Sequence, residues 1–281
     1  MARYGLPYQG SKSRIAEWVV SLLPPSHTLV DLFAGGGAIT HCALLSGKWE
    51  RIIANDITDS MTVFYEAATG GFSGFSTVLT RDDFLQSEDT ALKILYSFGN
   101  NCSGYLWSDD LEAFKVPAAK MLSAPSLHER RLAYRDFCRE FLRFVSDDRD
   151  GSFRIQPLER LQKMQNLEAL ERLEALERDY RLVEIPDGAT VYADPPYRNT
   201  DITAYGGKFD FDAFDAWLNG VDFPVFVSEY DAPRGCVEIA CKSHTSSMQA
   251  NCNTKTIERI FVQERFYEQC KPLTLFDMNE V

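Results

Sequence analysis

Asp194-Pro195-Pro196-Tyr197 is the stretch of this 281-residue chain best equipped for chemistry. It directly follows the apolar, strand-like run Thr190-Val191-Tyr192-Ala193, so the acid falls at the carboxyl end of a strand. The two prolines remove backbone donors and fix the turn. What remains is an accepting pocket with one flat wall. The Asp194 carboxylate and the Pro195 carbonyl can both accept N–H bonds from an exocyclic amino group, which pulls the nitrogen lone pair out of conjugation with its ring and makes the nitrogen nucleophilic. Tyr197 offers a stacking face for a base lifted out of a duplex. The same tetrapeptide also occurs as a plain tight turn, so its meaning rests on the rest of the chain.

A second constellation lies near the start. Leu29 to Ile39 reads Leu-Val-Asp31-Leu-Phe33-Ala-Gly35-Gly36-Gly37-Ala-Ile. This is a buried strand running into glycines, Gly35 and Gly37 among them, that let a ligand approach the backbone where a helix begins. After the next apolar run, Arg51-Ile52-Ile53-Ala54-Asn55, comes Asp56. It stands ~20 residues past the glycines, the spacing at which a carboxylate binds a ribose hydroxyl pair. Together these make a nucleoside site. The Gly-x-Gly-x-x-Gly spacing of a dinucleotide site is missing, and no Gly-Lys-Ser/Thr follows to hold phosphates.

The elements that must position these residues follow from periodicity. Ile15, Trp18, Val19, Leu22 and Leu23 give Ser11–Leu23 the spacing of an amphipathic helix, ended by Pro24-Pro25. A helix over about 38–46, a strand over 51–54 and a helix over 58–68 capped by Thr58 continue a strand–helix alternation, the pattern of a parallel sheet. The alternation then stops. Residues 76–165 read as a mostly helical insert between core segments 1–75 and 166–281, with a helix over about 130–145. From Leu158 to Leu176 an apolar residue recurs every three positions. At ~100° per residue such a step circles a helix without forming one stripe, so a long surface helix and a coiled coil are both rejected, and 172–177 is assigned to a strand leading to Asp179. Strand-like runs at 224–228, 236–240 and 257–262 supply the far half of the sheet, and Arg198 opens a polar, glycine-bearing loop.

Composition sets the frame. A hydrophobic content of 45% and an aromatic content of 12% suit a folded globular protein. Met1 to Gln9 has no apolar run, and no stretch approaches ~18 apolar residues, so a soluble, cytoplasmic protein without membrane contact is expected. The seven cysteines include no Cys-x-x-Cys pair, which reads as free thiols. Cys236, Cys241, Cys252 and His244 fit no zinc spacing, so no metal is expected. The net charge of −12 opposes nucleic-acid binding unless basic residues concentrate locally. Ser126–Val145 has such a surplus, five arginines (Arg135 and Arg139 among them) against three acids, although a solvated helix face reads the same way.

Pro7-Tyr8-Gln9-Gly10-Ser11-Lys12, Asp31-Leu32-Phe33-Ala34-Gly35-Gly36-Gly37, Asn55-Asp56 and Asp194-Pro195-Pro196-Tyr197, in that order, resemble the Dam-like DNA adenine N6-methyltransferases (alpha group, D12 class). The resemblance covers most of the chain. It implies an α/β, Rossmann-like, S-adenosylmethionine-dependent methyltransferase fold with a mixed sheet closed by an antiparallel hairpin, the insert at 76–165 being the target-recognition region. It implies that Tyr8, Lys12, Asp31, Phe33, Gly35, Gly37, Asp56 and Asp179 form the cofactor site: Lys12 on the cofactor's carboxylate, Asp31 on its amino group and Asp179 on its adenine amine. Phe33 reads equally as core. It implies Asp194, Pro195, Pro196 and Tyr197 as the catalytic residues and double-stranded DNA as the partner, with no protein partner evident. DNA contacts are assigned to Asn100, Asn101, Arg135, Arg139 and Arg198. Asn can pair with an adenine edge, although a loop rich in amides can equally fold on itself.

The chemistry needs no protein nucleophile, because a sulfonium is already electrophile and leaving group. A C5-cytosine enzyme would need an attacking cysteine, and no Pro-Cys pair occurs. N4-cytosine, RNA and protein-amide methylation use related amine chemistry and stay open. So does a catalytically inactive DNA-binding regulator, against which the intact Asp194 and glycine run speak.

Overall fold

The computed structural model describes residues 4–69, 80–97, 100–105, 126–144, 169–198, 209–245 and 255–271. A seven-stranded sheet forms its centre. The strands are β1 (Thr28–Asp31), β2 (Arg51–Asp56), β3 (Leu173–Glu177), β4 (Thr190–Ala193), β5 (Val225–Glu229), β6 (Cys236–Thr245) and β7 (Lys255–Gln263), in the order β3-β2-β1-β4-β5-β7-β6. β1 to β5 are mutually parallel, and β7 runs antiparallel to both β5 and β6. The expected mixed sheet and closing hairpin are therefore present. β1 lies at the point where the chain reverses its direction of travel across the sheet, with β2 on one side and β4 on the other. In open α/β sheets ligands bind in the crevice outside the carboxyl ends of such strands.

Both faces of the sheet are buried, which explains why its strands read as continuous apolar runs without alternation. On one face Leu29, Ile52, Ala54, Tyr192, Phe226 and Ile260 pack with α1 (Ala16–Leu22), α2 (Ala38–Ser46) and α3 (Ser60–Thr69). On the other, Val30, Ile53, Val191, Ala193, Val225 and Val227 meet Val183 together with Phe214 and Leu218 of a helix over Phe211–Gly220. α1 ends at Leu23 ahead of the two prolines, and Lys48 Nζ donates to the Val20 and Leu23 carbonyls that its end leaves free.

One local expectation changes, while the strand expected over 172–177 is present as β3. Thr58 does not cap α3: its hydroxyl donates to Asp56 Oδ1 (2.7 Å), and the Asp59 carbonyl accepts from Thr62 and Val63 at the helix start. The three-residue leucine repeat resolves in its described part as a 3₁₀ turn (Leu170–Arg172) followed by β3. Within a strand a step of three alternates faces, and Leu173 and Leu176 accordingly join opposite sides of the sheet. Residues 145–168 of the insert lie outside the described residues, as does the loop from 199 to 208.

Helices past residue 80 join the same core. α4 (Arg81–Gln86) and α5 (Thr90–Tyr96) begin with side-chain caps from Thr80 and Asp89, and their Phe84, Ala91, Ile94 and Tyr96 are buried in the same cluster as Leu29 and Phe64. These two helices therefore share the hydrophobic core that covers one face of the sheet. A further helix, α6 (Leu127–Phe144), carries the arginine-rich stretch. Among the described residues no helix is long and apolar enough to cross a membrane.

Phe84 tests this extension of the core. Its ring is fully buried, so Phe84→Ala is expected to cost ~3–5 kcal/mol in denaturant unfolding. A loss under ~1 kcal/mol would mean that α4 is an appendage.

Candidate active site

The loop leaving β1 is shaped by contacts that side chains would obstruct. Gly37 is the first residue before α2, with φ at 69°, and a Cβ there would stand 2.6 Å from the Phe64 ring. Only glycine satisfies both conditions. The amino-terminal segment lies directly on this turn: Leu6 N–H donates to the Gly36 carbonyl (2.6 Å), and Gly5 N–H donates to Nδ1 of the buried His41 (3.1 Å). That clamp brings Tyr8 against Gly35 and Gly36 and carries Lys12 into the crevice at the carboxyl ends of β1 and β4. The crevice is a cavity of about 330 Å³ lined by, among others, Tyr8, Lys12, Asp31, Phe33, Asp56 and Asp194.

Asp31, the last residue of β1, is 1% exposed. Its Oδ2 accepts from the Thr40 hydroxyl (2.7 Å), while Oδ1 is buried with no hydrogen-bond partner among the described residues. Burial, reinforced by the charges of Asp194 and Asp56, pushes its carboxyl up to about 7 against the Thr40 bond. A buried acceptor left open at a cavity costs free energy until a donor arrives. A cationic ligand group satisfies it best, and the ammonium of an amino acid moiety is such a group.

Asp56 is more fully engaged than its spacing suggests. Oδ2 accepts from Gly35 N–H (2.8 Å), and Oδ1 from the backbone and hydroxyl of Thr58 (3.0 and 2.7 Å). Oδ2 keeps the capacity for one more bond, so Asp56 is set to accept from a ribose hydroxyl at that oxygen. Burial raises its carboxyl, and these bonds oppose the rise. Asn55 beside it donates to the Leu32 and Arg178 carbonyls (3.0 Å each), tying together the exits of β1 and β3.

An aromatic wall closes one side. Phe33 stands 5.1 Å from Tyr180 and 5.9 Å from Phe209 between ring centroids, and it also touches Phe214, so it lines the cavity and joins the lower core at once. Asp179 lines the cavity, but both of its oxygens are held by the Arg181 guanidinium (2.9 and 2.6 Å), which keeps its carboxyl below the usual range. Arg181 is the partner that local sequence did not disclose.

At the other end, Asp194 follows β4. Lys12 Nζ lies 3.0 Å from its Oδ1 and 4.3 Å from the centre of the Tyr197 ring. Lys12, expected on a cofactor carboxylate, thus pairs within the protein with Asp194. Burial raises the Asp194 carboxyl to about 6; the Lys12 charge pulls it down and Glu258 pushes it up. Pro195, Pro196 and Tyr197 are buried. The Tyr197 hydroxyl donates to Glu258 of β7, and its ring meets the edge of Tyr230 at 4.6 Å, so the expected stacking face is covered here by Lys12.

The residues assigned to DNA are not brought together. Asn100 Nδ2 donates to the Ile94 carbonyl (2.8 Å), and Asn101 Oδ1 accepts from Ser103 and Gly104 (3.0 Å each), so those amide groups shape their own loop. Arg198 pairs with the buried Asp215 (2.6 Å) over the Phe211 ring. Arg135 and Arg139 stand out on α6, their side chains 72% and 58% exposed and each near Asp136. Thr40, Asn55, Glu229 and Glu258 were missed as site residues. A signal existed for Glu258: it shares the alternation of Ile260 and Val262 in an apolar strand. Among the described residues no cluster of His, Cys, Asp or Glu could hold a metal ion.

The model of one protein family, described as D12 class N6 adenine-specific DNA methyltransferase, matches residues 8–225. No curated protein matches the sequence. Among solved structures, wild-type Trm5b from Pyrococcus abyssi aligns at 8% identity with a TM-score of 0.31, over 89% of this chain and 48% of that one. The chain spans about half the length of that protein.

Asp31 carries a stability consequence. Its carboxyl binds a proton more tightly folded (about 7) than unfolded (about 3.8), so its contribution to stability is greatest below pH ~4 and is lost as pH rises toward 7. Asp31→Asn removes that cost. Its unfolding temperature at pH 8 should exceed the wild type's by several degrees (~1–2 kcal/mol), the gap closing toward pH 4. Scanning calorimetry at both pH values decides; a lower midpoint at pH 8 refutes the assignment of strain to Asp31.

Proposed function

The chain belongs to the D12 class N6 adenine-specific DNA methyltransferases, and we propose that it moves a methyl group from S-adenosylmethionine to N6 of an adenine extruded from double-stranded DNA. The observation that carries this reading is the adjacency of Asp31 and Asp194 at the carboxyl ends of neighbouring strands, facing one cavity. The unpartnered Asp31 Oδ1 fits the cofactor's ammonium, Asp56 Oδ2 a ribose hydroxyl, and the Phe33 wall an adenine ring. When bound, S-adenosylmethionine supplies a methyl group on a sulfonium that is also the leaving group.

The protein's part is positioning and electrostatics. The Lys12 ammonium pairs with Asp194, where the adenine amine belongs. Base entry requires Lys12 to withdraw from Asp194 and from the Tyr197 face. The amine then donates to Asp194 and to the Pro195 carbonyl, its lone pair localises on nitrogen, and Tyr197 stacks on the base. Gly35 lines the cofactor side of the cavity against Tyr8, while Gly37 gives the turn before α2 the room it needs against Phe64. Asp179, oriented by Arg181, borders the cavity with Oδ2 able to accept one more bond, as from the cofactor's adenine amine.

We place the protein in the cytoplasm, on the nucleoid while bound to DNA, with the 76–165 region reading the target. Of the basic residues assigned to DNA, Arg135 and Arg139 keep the exposure that a phosphate contact needs, whereas Arg198 is spent on Asp215.

Single-turnover methylation of unmethylated duplex DNA tests the chemistry. Asp194→Asn trades an accepting oxygen for a donor that repels the amine, and the rate should fall ~10²–10³-fold with DNA affinity kept. In the wild type the rate should also fall as pH drops through about 6, because Asp194 accepts only when ionised. A near-wild-type rate for Asp194→Asn would reduce the tetrapeptide to a turn.

Replacing Arg135 and Arg139 together by Ala should weaken binding to every DNA sequence alike. The slope of log affinity against log salt should flatten by ~1 for each phosphate that the variant no longer neutralises. An unchanged slope would move the DNA surface off α6.

A further inference from the structure

Glu258 lies outside the family match, which stops at residue 225, yet it reaches the centre of the site. β7 runs antiparallel to β5, so its early residues lie at the edge where the parallel strands end in Asp31 and Asp194. Along β7, positions 258, 260 and 262 share a face, and Ile260 and Val262 are fully buried. An apolar residue would be the ordinary occupant of position 258. A glutamate stands there instead, 1% exposed, accepting a hydrogen bond from the Tyr197 hydroxyl. Burying a carboxylate is costly unless its partners repay it. Departures of this kind from the strand pattern concentrate at functional sites.

We propose that Glu258 is a positioning residue for the target base: by accepting the Tyr197 hydroxyl it fixes the plane of the ring on which the base stacks, and its carboxylate completes the charged wall behind Asp194. The inference rests on the methyltransferase reading above and adds a residue to it. The geometry constrains the ring from several sides. Glu258 holds the hydroxyl, Tyr230 meets the ring edge, and Lys12 covers the face that the base will take. When Lys12 withdraws, the hydroxyl bond and the Tyr230 edge are what keep the ring in place.

The charge has its own effect. Asp194 is faced by Lys12 from the amino-terminal segment, Glu258 from β7, Asp31 from β1, Tyr192 and Tyr197 from β4 and the turn after it, and Glu229 and Tyr230 from the end of β5. Glu258 raises the Asp194 carboxyl, and Glu229, itself pushed up to about 7 by burial, is held by the Tyr230 and Arg198 backbones. Neutralising Glu258 therefore makes Asp194 easier to ionise.

The experiment is single-turnover methylation across pH, with labelled S-adenosylmethionine and unmethylated genomic DNA both saturating. The proteins are the wild type, Glu258→Gln, Glu258→Ala, Tyr197→Phe and the Glu258→Ala/Tyr197→Phe double variant. Glu258→Gln keeps an acceptor for the hydroxyl but removes the charge, so its acid limb should move to lower pH, a change that a merely structural role would not produce. Glu258→Ala and Tyr197→Phe each remove the tether and should slow methylation ~10-fold or more. The double variant should be no slower than the slower single variant. If Glu258→Ala fails to fold, the acid limb of Glu258→Gln decides. An unmoved limb, or single effects that multiply in the double variant, overturns the proposal. A wild type that methylates no DNA overturns the parent reading and this one with it, whereas an active wild type with indifferent Glu258 variants overturns this one alone.

Discussion

The arrangement depends on keeping three carboxylates, Asp31, Asp56 and Asp194, out of water along one edge of one sheet. Like charges in a poorly solvated cleft repel, and each pays a desolvation cost that it would escape in the unfolded chain. The fold offsets this with donors drawn from every side of the cavity: the Thr40 hydroxyl, the Gly35 backbone, both groups of Thr58, and Lys12. Those donors are held by the deepest packing in the molecule. α2, which carries Thr40, is buried from Ala38 to Leu44, and the strands on which the acids end are fully covered. A site costly to form is tolerated because the structure around it leaves no alternative arrangement.

Much of this was legible in the sequence because strands buried on both faces are unbroken apolar runs, and an acid at the end of such a run is fixed at the sheet's carboxyl edge. Thr190–Ala193 before Asp194, Leu29–Val30 before Asp31 and Ile52–Asn55 before Asp56 all read this way. The partners of the acids did not, because pairing across the fold leaves no local trace. Lys12 and Asp194, Tyr197 and Glu258, Arg198 and Asp215 meet only after the chain has closed. Arg181 was hidden for a different reason: its bond to Asp179 spans two residues, and an acid near a base in a polar turn is too common to single out.

The net charge of −12 has a structural reading. Asp31, Asp56, Asp179, Asp194 and Asp210 line one cavity, so the whole-chain sum is not spread evenly over the outer surface. What a phosphate senses is the nearby field, screened over ~8–10 Å at ordinary ionic strength. Exposed arginines on one helix can dominate that field while the total stays negative. Arg198 illustrates the opposite case, a cation next to the catalytic turn whose charge is consumed by a buried aspartate.

Lys12 connects these points. An ammonium beside Asp194 favours the ionised form of that carboxyl and covers the Tyr197 ring. On the reading proposed above, a neutral adenine amine replaces a charged donor there, and a charged hydrogen bond is worth ~1.5–3 kcal/mol. The exchange is uphill taken alone. It proceeds only when other contacts, to the duplex and to the stacked base, supply the difference. Free adenine, which brings no backbone contacts, cannot supply it. On that reading the lysine beside Asp194 makes access to it conditional on binding DNA, and selectivity for the polymer arises at the atoms proposed to activate the amine.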